Sequence, residues 1–194
     1  VSVYRPITDV WMLARSKTKY YGAYPCGFLG RARDLLGVGP TCKVLHVCSG
    51  KLHDYPSDWR GYPGPGLSDF TLDCDQRLDP DLCCDVRNGI PLCHVPRPSP
   101  ESDQLAPWDA ILCDPPYSPE DAKHYQSGSE LYPEPQKLLA DCLKAVKPGG
   151  KVGFLHYILP RPPKGAQLVA CVAVVVGFGN RGRLYSVFER RYEQ

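Results

Sequence analysis

Long apolar runs are the first thing this chain lacks. None of its stretches approaches the ~20 apolar residues that cross a bilayer as a helix. The longest, residues 168–178, is β-branched and reads as a core strand, so no membrane partner is expected. The N-terminus lacks the basic, apolar, small-residue order of a secretory signal, which points to a cytoplasmic protein. Ten cysteines occur without one C-x-x-C spacing, and several (Cys42, Cys48, Cys113, Cys171) fall inside apolar strand-like runs. Buried reduced thiols are therefore expected rather than a disulfide framework. Cys74, Cys83, Cys84, Cys93 and His94 are the only grouping that could assemble a metal site, and without a knuckle no metal is expected there. Neither sign of charge dominates: 23 Lys and Arg stand against 21 Asp and Glu, a net charge of +2. That balance permits nucleic acid binding without demanding it.

What is present reads as one α/β domain over residues 1–194, with an N-terminal extension and helix in 1–40 and the core in 41–194. With 21 prolines and 18 glycines between apolar runs, long ordered loops are expected. A helical pattern over 28–36 (Phe28, Leu29, Ala32, Leu35, Leu36) closes on Gly37. The tyrosine-rich 19–25 either lines a pocket or covers the core. Residues 43–48 are β-branched and apolar, predicting a first strand that ends at Ser49-Gly50. A second strand over 70–73 ends in Asp73. A third, short strand over 81–86 carries Asp85 and Val86. An acid at the end of the second strand of a nucleoside-binding α/β fold accepts from the ribose hydroxyls. Asp73 is the candidate, with Asp75 its neighbouring competitor. Asp85 could accept from an adenine amine while Val86 flanks the ring.

Residues 94–107 read as a surface connection. The chain then runs through Trp108-Asp109-Ala110-Ile111-Leu112-Cys113 into Asp114-Pro115-Pro116-Tyr117. The prolines cannot continue a ladder, so Asp114 and Tyr117 fall at a strand's carboxyl end, where open α/β sheets bind ligands. Asp114 and the Pro115 carbonyl are two acceptors side by side, suited to a planar amino group, and Tyr117 adds a flat face for a base taken out of its stack. Ser118-Pro119-Glu120 has the pattern of a helix start. Residues 118–132 then read either as a substrate-contacting lid or as a simple crossover. An amphipathic helix over 134–146, a Lys-Pro-Gly-Gly turn and a buried strand over 151–159 follow. Residues 168–178 and 184–189 form a β-hairpin. Arg161, Lys164, Arg181, Arg183, Arg190 and Arg191 give this end a basic bias, through either phosphate contacts or scattered surface arginines.

The tetrad Asp114, Pro115, Pro116, Tyr117 resembles that of the class I S-adenosylmethionine-dependent amino-methyltransferases, above all the adenine-N6 DNA methyltransferases. The order of helix, Lys-Pro-Gly-Gly turn and strand after it is similar to theirs as well. The resemblance implies a Rossmann-like fold, a mostly parallel sheet with an antiparallel C-terminal hairpin strand, and S-adenosylmethionine as cofactor. It implies methyl transfer to the exocyclic amine of a nucleobase, with Asp114, Pro115, Pro116 and Tyr117 as the catalytic group. The cofactor would lie against His46, Cys48, Ser49, Gly50, Asp73, Asp85, Val86 and Asp114. Nucleic acid is the implied partner, DNA favoured because of Tyr117, with RNA open because adenine-N6 and guanine-N2 RNA methyltransferases carry similar tetrads. The chain departs from the family after Cys48, where only Gly50 stands and the G-x-G spacing is missing. A non-catalytic binding module is the reading which that departure keeps open. Target readout is expected from the loops 51–68 and 118–132 or from a protein partner.

Overall fold

Eight strands form the main sheet, in the order β1-β9-β10-β8-β7-β2-β3-β4. They are β1 (Ile7–Leu13), β2 (Val44–Val47), β3 (Asp69–Asp73), β4 (Leu82–Cys83), β7 (Trp108–Cys113), β8 (Val146–His156), β9 (Ala166–Val176) and β10 (Arg183–Arg190). A separate antiparallel pair joins β5 (Cys93–Val95) to β6 (Gln104–Ala106). Three helices accompany them: α1 (Phe28–Leu36), the single turn α2 (Pro119–Ala122) and α3 (Pro135–Ala145). This computed structural model describes residues 4–15, 22–54, 69–95, 104–125, 132–177 and 181–192. Within them every pairing of the main sheet is parallel except those of β10, which runs against both β8 and β9.

The two-residue period of a strand divides the core. Ala110 and Leu112 of β7 face α1, packing with Phe28, Leu29, Ala32 and Tyr185. Ile111 and Cys113 face the other way, onto Leu138, Leu139, Cys142 and Leu143 of α3. The first helix carries its expected stop, and the second gains a capped start. Gly37 closes α1 in the left-handed conformation, and the Glu134 carboxylate caps α3 by accepting from the Gln136 and Lys137 N–H groups, with Pro135 in the first turn. No helix among the described residues is long and apolar enough to cross a membrane.

The structure corrects four element boundaries. Residues in the expected N-terminal extension form β1, which adds to the sheet edge in parallel register with β9, from Ile7 opposite Ala170 to Leu13 opposite Val176. Only Trp11 and Leu13 of this strand are buried, so its apolar alternation is too weak to stand out. The expected third strand shrinks to β4, because Asp85 ends it by capping a 3-10 turn over Val86–Asn88. The expected connection over 94–107 contributes β5 and β6 at its ends. Finally, β8 begins at Val146 and takes in the Lys-Pro-Gly-Gly residues. A side chain at Gly150 would stand 2.9 Å from the Asp109 carbonyl and 2.8 Å from that of Lys147, so only glycine lets the strand pass.

Strands β8 and β9 flank β10 and run parallel to each other, a relation that ordinarily requires a helical crossover. Here residues 157–165, with Pro160, Pro162 and Pro163, make the crossing without a helix. Gln136 at the start of α3 holds this strap from both sides, donating to the Arg161 carbonyl at 2.7 Å and accepting from its N–H at 3.0 Å.

One buried ion pair ties α1 to the sheet. Arg33 Nη1 reaches both carboxylate oxygens of Asp69, at 3.0 and 2.9 Å, and both side chains are nearly inaccessible. Burial alone would raise the Asp69 pKa, but His46 and Arg33 outweigh it and hold the carboxyl below its ordinary range. Arg33→Met therefore strands a buried carboxylate and should lower the unfolding free energy by about 3–5 kcal/mol, read from urea melts. Arg33→Met with Asp69→Leu should recover most of that loss. A single variant within about 0.5 kcal/mol of the parent would refute the assignment.

Candidate active site

The order of the main sheet reverses between β2 and β7: the chain leaves β2 toward β3 on one side and β7 toward β8 on the other. Such a switch point opens a crevice at the carboxyl ends of the two strands. Val47 and Cys113 pair at those ends, and the next residue, Asp114, donates its N–H to the Val47 carbonyl at 3.2 Å. Asp114 is thus the first residue beyond the ladder, fixed to both strands at the crevice mouth. Pro115 is buried, and Pro116 and Tyr117 are half-buried behind it.

The Tyr117 hydroxyl donates to Asp114 Oδ1 at 2.7 Å, and Arg183 Nη1 donates to the same hydroxyl at 3.2 Å. Asp114 Oδ2 has no partner among the described residues. Burial pushes the Asp114 carboxyl up to about 6, against the lowering pull of Arg183 and of the Tyr117 hydrogen bond. The Tyr117 ring stands edge-on to His156 (5.3 Å) and tilted against Tyr157 (4.5 Å), and Arg181 lies over the Tyr157 ring at 5.9 Å. Burial drives His156 down to about 4, so it is neutral near pH 7. Its Nδ1 accepts from the Ile158 N–H at 3.1 Å, which assigns the proton to Nε2.

The other half of the crevice lies at the ends of β2 and β3. Cys48 and Gly50 both adopt left-handed backbone, each with φ 54°. The turn that the glycine pattern would supply is thus made with Cys48 in the strained conformation. Ser49 N–H donates to the Leu72 carbonyl at 3.1 Å, while its buried Oγ has no partner among the described residues. Asp73 accepts from Gly50 N–H on Oδ2 at 3.0 Å and from Asp75 N–H on Oδ1 at 3.1 Å. Burial, then the Asp73 carboxylate, raise the Cys48 thiol pKa, with Asp114 a smaller contributor, so Cys48 lies between the two halves of the crevice. Among the described residues no group of three His, Cys, Asp or Glu side chains could hold a metal ion.

The structure therefore brings Cys48, Ser49, Gly50, Asp73 and Asp114 to one mouth, and sorts the remaining candidates. Asp75 is taken up by Arg77, and Asp85 likewise by Arg87 at 2.7 Å; in both pairs the arginine hydrogen bond holds the carboxyl below its usual range. Val86, in the turn that Asp85 caps, is buried. His46 is set apart, since its ring is enclosed with Nε2 3.6 Å from Asp69 Oδ2, at the opposite end of β3 from Asp73. A strand's last residues point alternately to two faces and not all toward its end, which is why adjacency in sequence misplaces it. Sequence reasoning missed His156, Tyr157 and the placement of Arg183 on Tyr117 and of Arg181 on Tyr157. Their one signal is that they sit at the end of one strand and the start of the next. Residues 19–21, 55–68 and 126–131 of the expected loops lie outside the described residues.

No family model matches the sequence, and no curated protein matches it. Among solved structures, TrmN from Thermus thermophilus matches over 82% of this chain at 21% identity and a TM-score of 0.51. The chain spans about half of that protein's length (47%). A methyltransferase from Pyrococcus furiosus matches over 84% of this chain and 83% of its own at 14% identity, with a TM-score of 0.42. The precorrin-6y C5,15-methyltransferase of Geobacter metallireducens GS-15 matches over 92% and 95% at 12% identity, also with a TM-score of 0.42. Together with the strand order, the first of these likenesses gives the fold as the Rossmann-like α/β fold of methyltransferases.

The electrostatics of Asp114 have a direct check. Arg183→Gln removes a charge that favours the carboxylate, so the Asp114 midpoint should move upward from about 6 when its carboxyl carbon is followed by NMR. Tyr117→Phe should move it the same way by removing the donor. An unmoved or lowered midpoint in both variants would contradict the geometry.

Proposed function

We propose that this chain transfers the methyl group of S-adenosylmethionine to the exocyclic amine of a nucleobase, with adenine N6 in DNA the leading substrate and residues 1–194 acting as one methyltransferase unit. The observation that carries the reading is Asp114. It is a carboxylate at the switch-point mouth with one oxygen held by Tyr117 and the other unclaimed, followed at once by the buried Pro115.

The residues at the ends of β2 and β3 suit the cofactor. Ser49 Oγ is a buried hydroxyl in need of a partner, and the space where a Gly50 side chain would stand is open, with nothing within 4 Å. Ser49 and Gly50 would hold the amino-acid part and Asp73 the ribose, with Val86 flanking the adenine and Asp85 reaching its amine only on release from Arg87. When bound, the cofactor supplies a methyl group on a positively charged sulfur, already activated toward nucleophiles.

The chain's part is then orientation and proton handling. Asp114 Oδ2 and the Pro115 carbonyl accept the two N–H groups of the amine, which turns the nitrogen lone pair toward the cofactor. Tyr117, fixed at its hydroxyl and along its ring edge, offers the base a stacking surface. Once methylated, the amine nitrogen would be acidic, and Asp114 Oδ2 would be placed to take its proton.

The test is incubation with methyl-labelled S-adenosylmethionine and parallel DNA and RNA pools, followed by mass spectrometry of the nucleosides. N6-methyldeoxyadenosine is expected. Label confined to RNA would replace the DNA reading with an RNA one, and cofactor binding with no transfer to nucleic acid or nucleoside would overturn the enzymatic reading. Asp114→Ala should reduce transfer by about 10²–10⁴-fold.

Because Asp114 works as a carboxylate, the single-turnover rate should climb as pH rises through about 6 and level off above it. A rate that falls over that interval would remove Asp114 from the role.

A further inference from the structure

The basic residues of the C-terminal hairpin do not share one fate. Arg190 donates to the Lys144 and Val146 carbonyls and Arg191 to Gln167, which are fastenings within the fold. Arg181 and Arg183 instead end two contact paths that lead outward from Asp114. One path runs from the carboxylate through the Tyr117 hydroxyl to Arg183, and the other from the Tyr117 ring through Tyr157 to Arg181. Arg183 is half-buried, and among the described residues its only hydrogen bond goes to Tyr117 and no carboxylate lies within ion-pair distance of it. Among the described residues four of the five N–H donors of its guanidinium therefore have no partner, while Asp114 offsets part of its charge from a distance. Arg181 is exposed, and among the described residues it stacks on the Tyr157 ring and makes no hydrogen bond. Two guanidinium groups with spare donors beside an aromatic pair, on contact paths from the Asp114 carboxylate, match a phosphodiester, which arginine grips in bidentate fashion.

We propose that Arg181 and Arg183 form a phosphate clamp for the nucleotide whose base enters the Asp114 site, so that the substrate is a polynucleotide rather than a free base or nucleoside. The proposal rests on the reading of Asp114 as a nucleobase site. Stacked along Tyr117 and Tyr157, the target base and its neighbour would lead their backbone past both arginines. Arg183 would then serve two partners, bracing Tyr117 with one N–H and meeting phosphate with the others.

Binding separates this from the methyl-transfer reading. The probes are fluorescent single-stranded DNA and RNA oligonucleotides with one adenine, in which the phosphates around that adenine are replaced one at a time by neutral methylphosphonate. The unaltered protein should lose affinity at one or two specific positions. Arg181→Gln should bind the all-phosphate probe more weakly, with the slope of log affinity against log salt reduced by about 1, and should lose nothing further at the position it contacts. Arg183→Gln should do the same at the adjoining position, with circular dichroism checking that it folds.

If methylphosphonate costs both variants as much as the parent at every position, the clamp is wrong, whatever the enzyme methylates. Transfer to free adenosine at the rate of the oligonucleotide, unchanged in Arg181→Gln, would also overturn it while leaving the function standing. Position-specific coupling without methyl transfer to any substrate would uphold the clamp and overturn the enzymatic reading instead.

Discussion

The parallel pairing of β2 with β7 is the constraint on which the rest of the molecule depends. Those strands are adjacent in the sheet but remote in sequence, and the chain departs from them in opposite directions. Their carboxyl ends consequently cannot be bridged by the chain itself, and a crevice is left that side chains must line. The hydrogen bond from Asp114 N–H to the Val47 carbonyl is the last rung of this ladder. It sets a carboxylate on one lip while Ser49, Gly50 and Asp73 form the other. The core below secures the rung from both faces, because alternate residues of β7 are packed under α1 and α3.

Legibility in the sequence followed the strength of local signals. The strands flanking the crevice are short and buried on both faces, so β2, β3 and β7 read as continuous apolar runs and were placed to within a residue or two. The helix α3 and the hairpin β9–β10 were equally plain, by period and by composition. What escaped was structure that owes its existence to neighbours. β1 carries little apolar alternation of its own and is a strand because β9 offers an edge. β4 stops early because Asp85 turns back to cap its own chain and pair with Arg87, a competition between side chain and ladder that strand propensity does not register.

The candidate site divides along the same line. Asp114 to Tyr117 and the loop at Ser49-Gly50 announced themselves, since prolines and glycines after an apolar run have few other uses. The missing glycine at Cys48 looked like a defect in the cofactor loop. In three dimensions the backbone turns there all the same, the non-glycine residue bearing the left-handed strain, and strain of that kind persists only where surrounding packing over-determines it. His46 shows the opposite error. It lies in the strand that leads to the loop, yet the alternation of the strand directs its ring to the Arg33–Asp69 pair. The arginines of the last hairpin were visible only as a bias, because which of them reach the crevice depends on the register of β10 against β8.

That register also explains the charge state of Asp114. A carboxylate at this depth, left alone, would be driven toward its neutral form; one in direct contact with a guanidinium would be pulled far down, with both oxygens occupied. Neither would suit the role proposed for Asp114, in which it accepts an N–H and then a proton. Placing Tyr117 between the two resolves the conflict. The hydroxyl takes a hydrogen bond from Arg183 and passes one to Oδ1, so the arginine stabilises the negative charge from a distance and leaves Oδ2 unclaimed. Burial and partial compensation then meet at about 6, a value that would leave the group ionised before the proposed transfer and basic enough to hold a proton after it. Lysine at position 183 would supply charge but no planar fork to serve the tyrosine and a second acceptor together. The geometry of Asp114 is thus a reason for arginine specifically, and it connects the acceptor site to the surface that surrounds it.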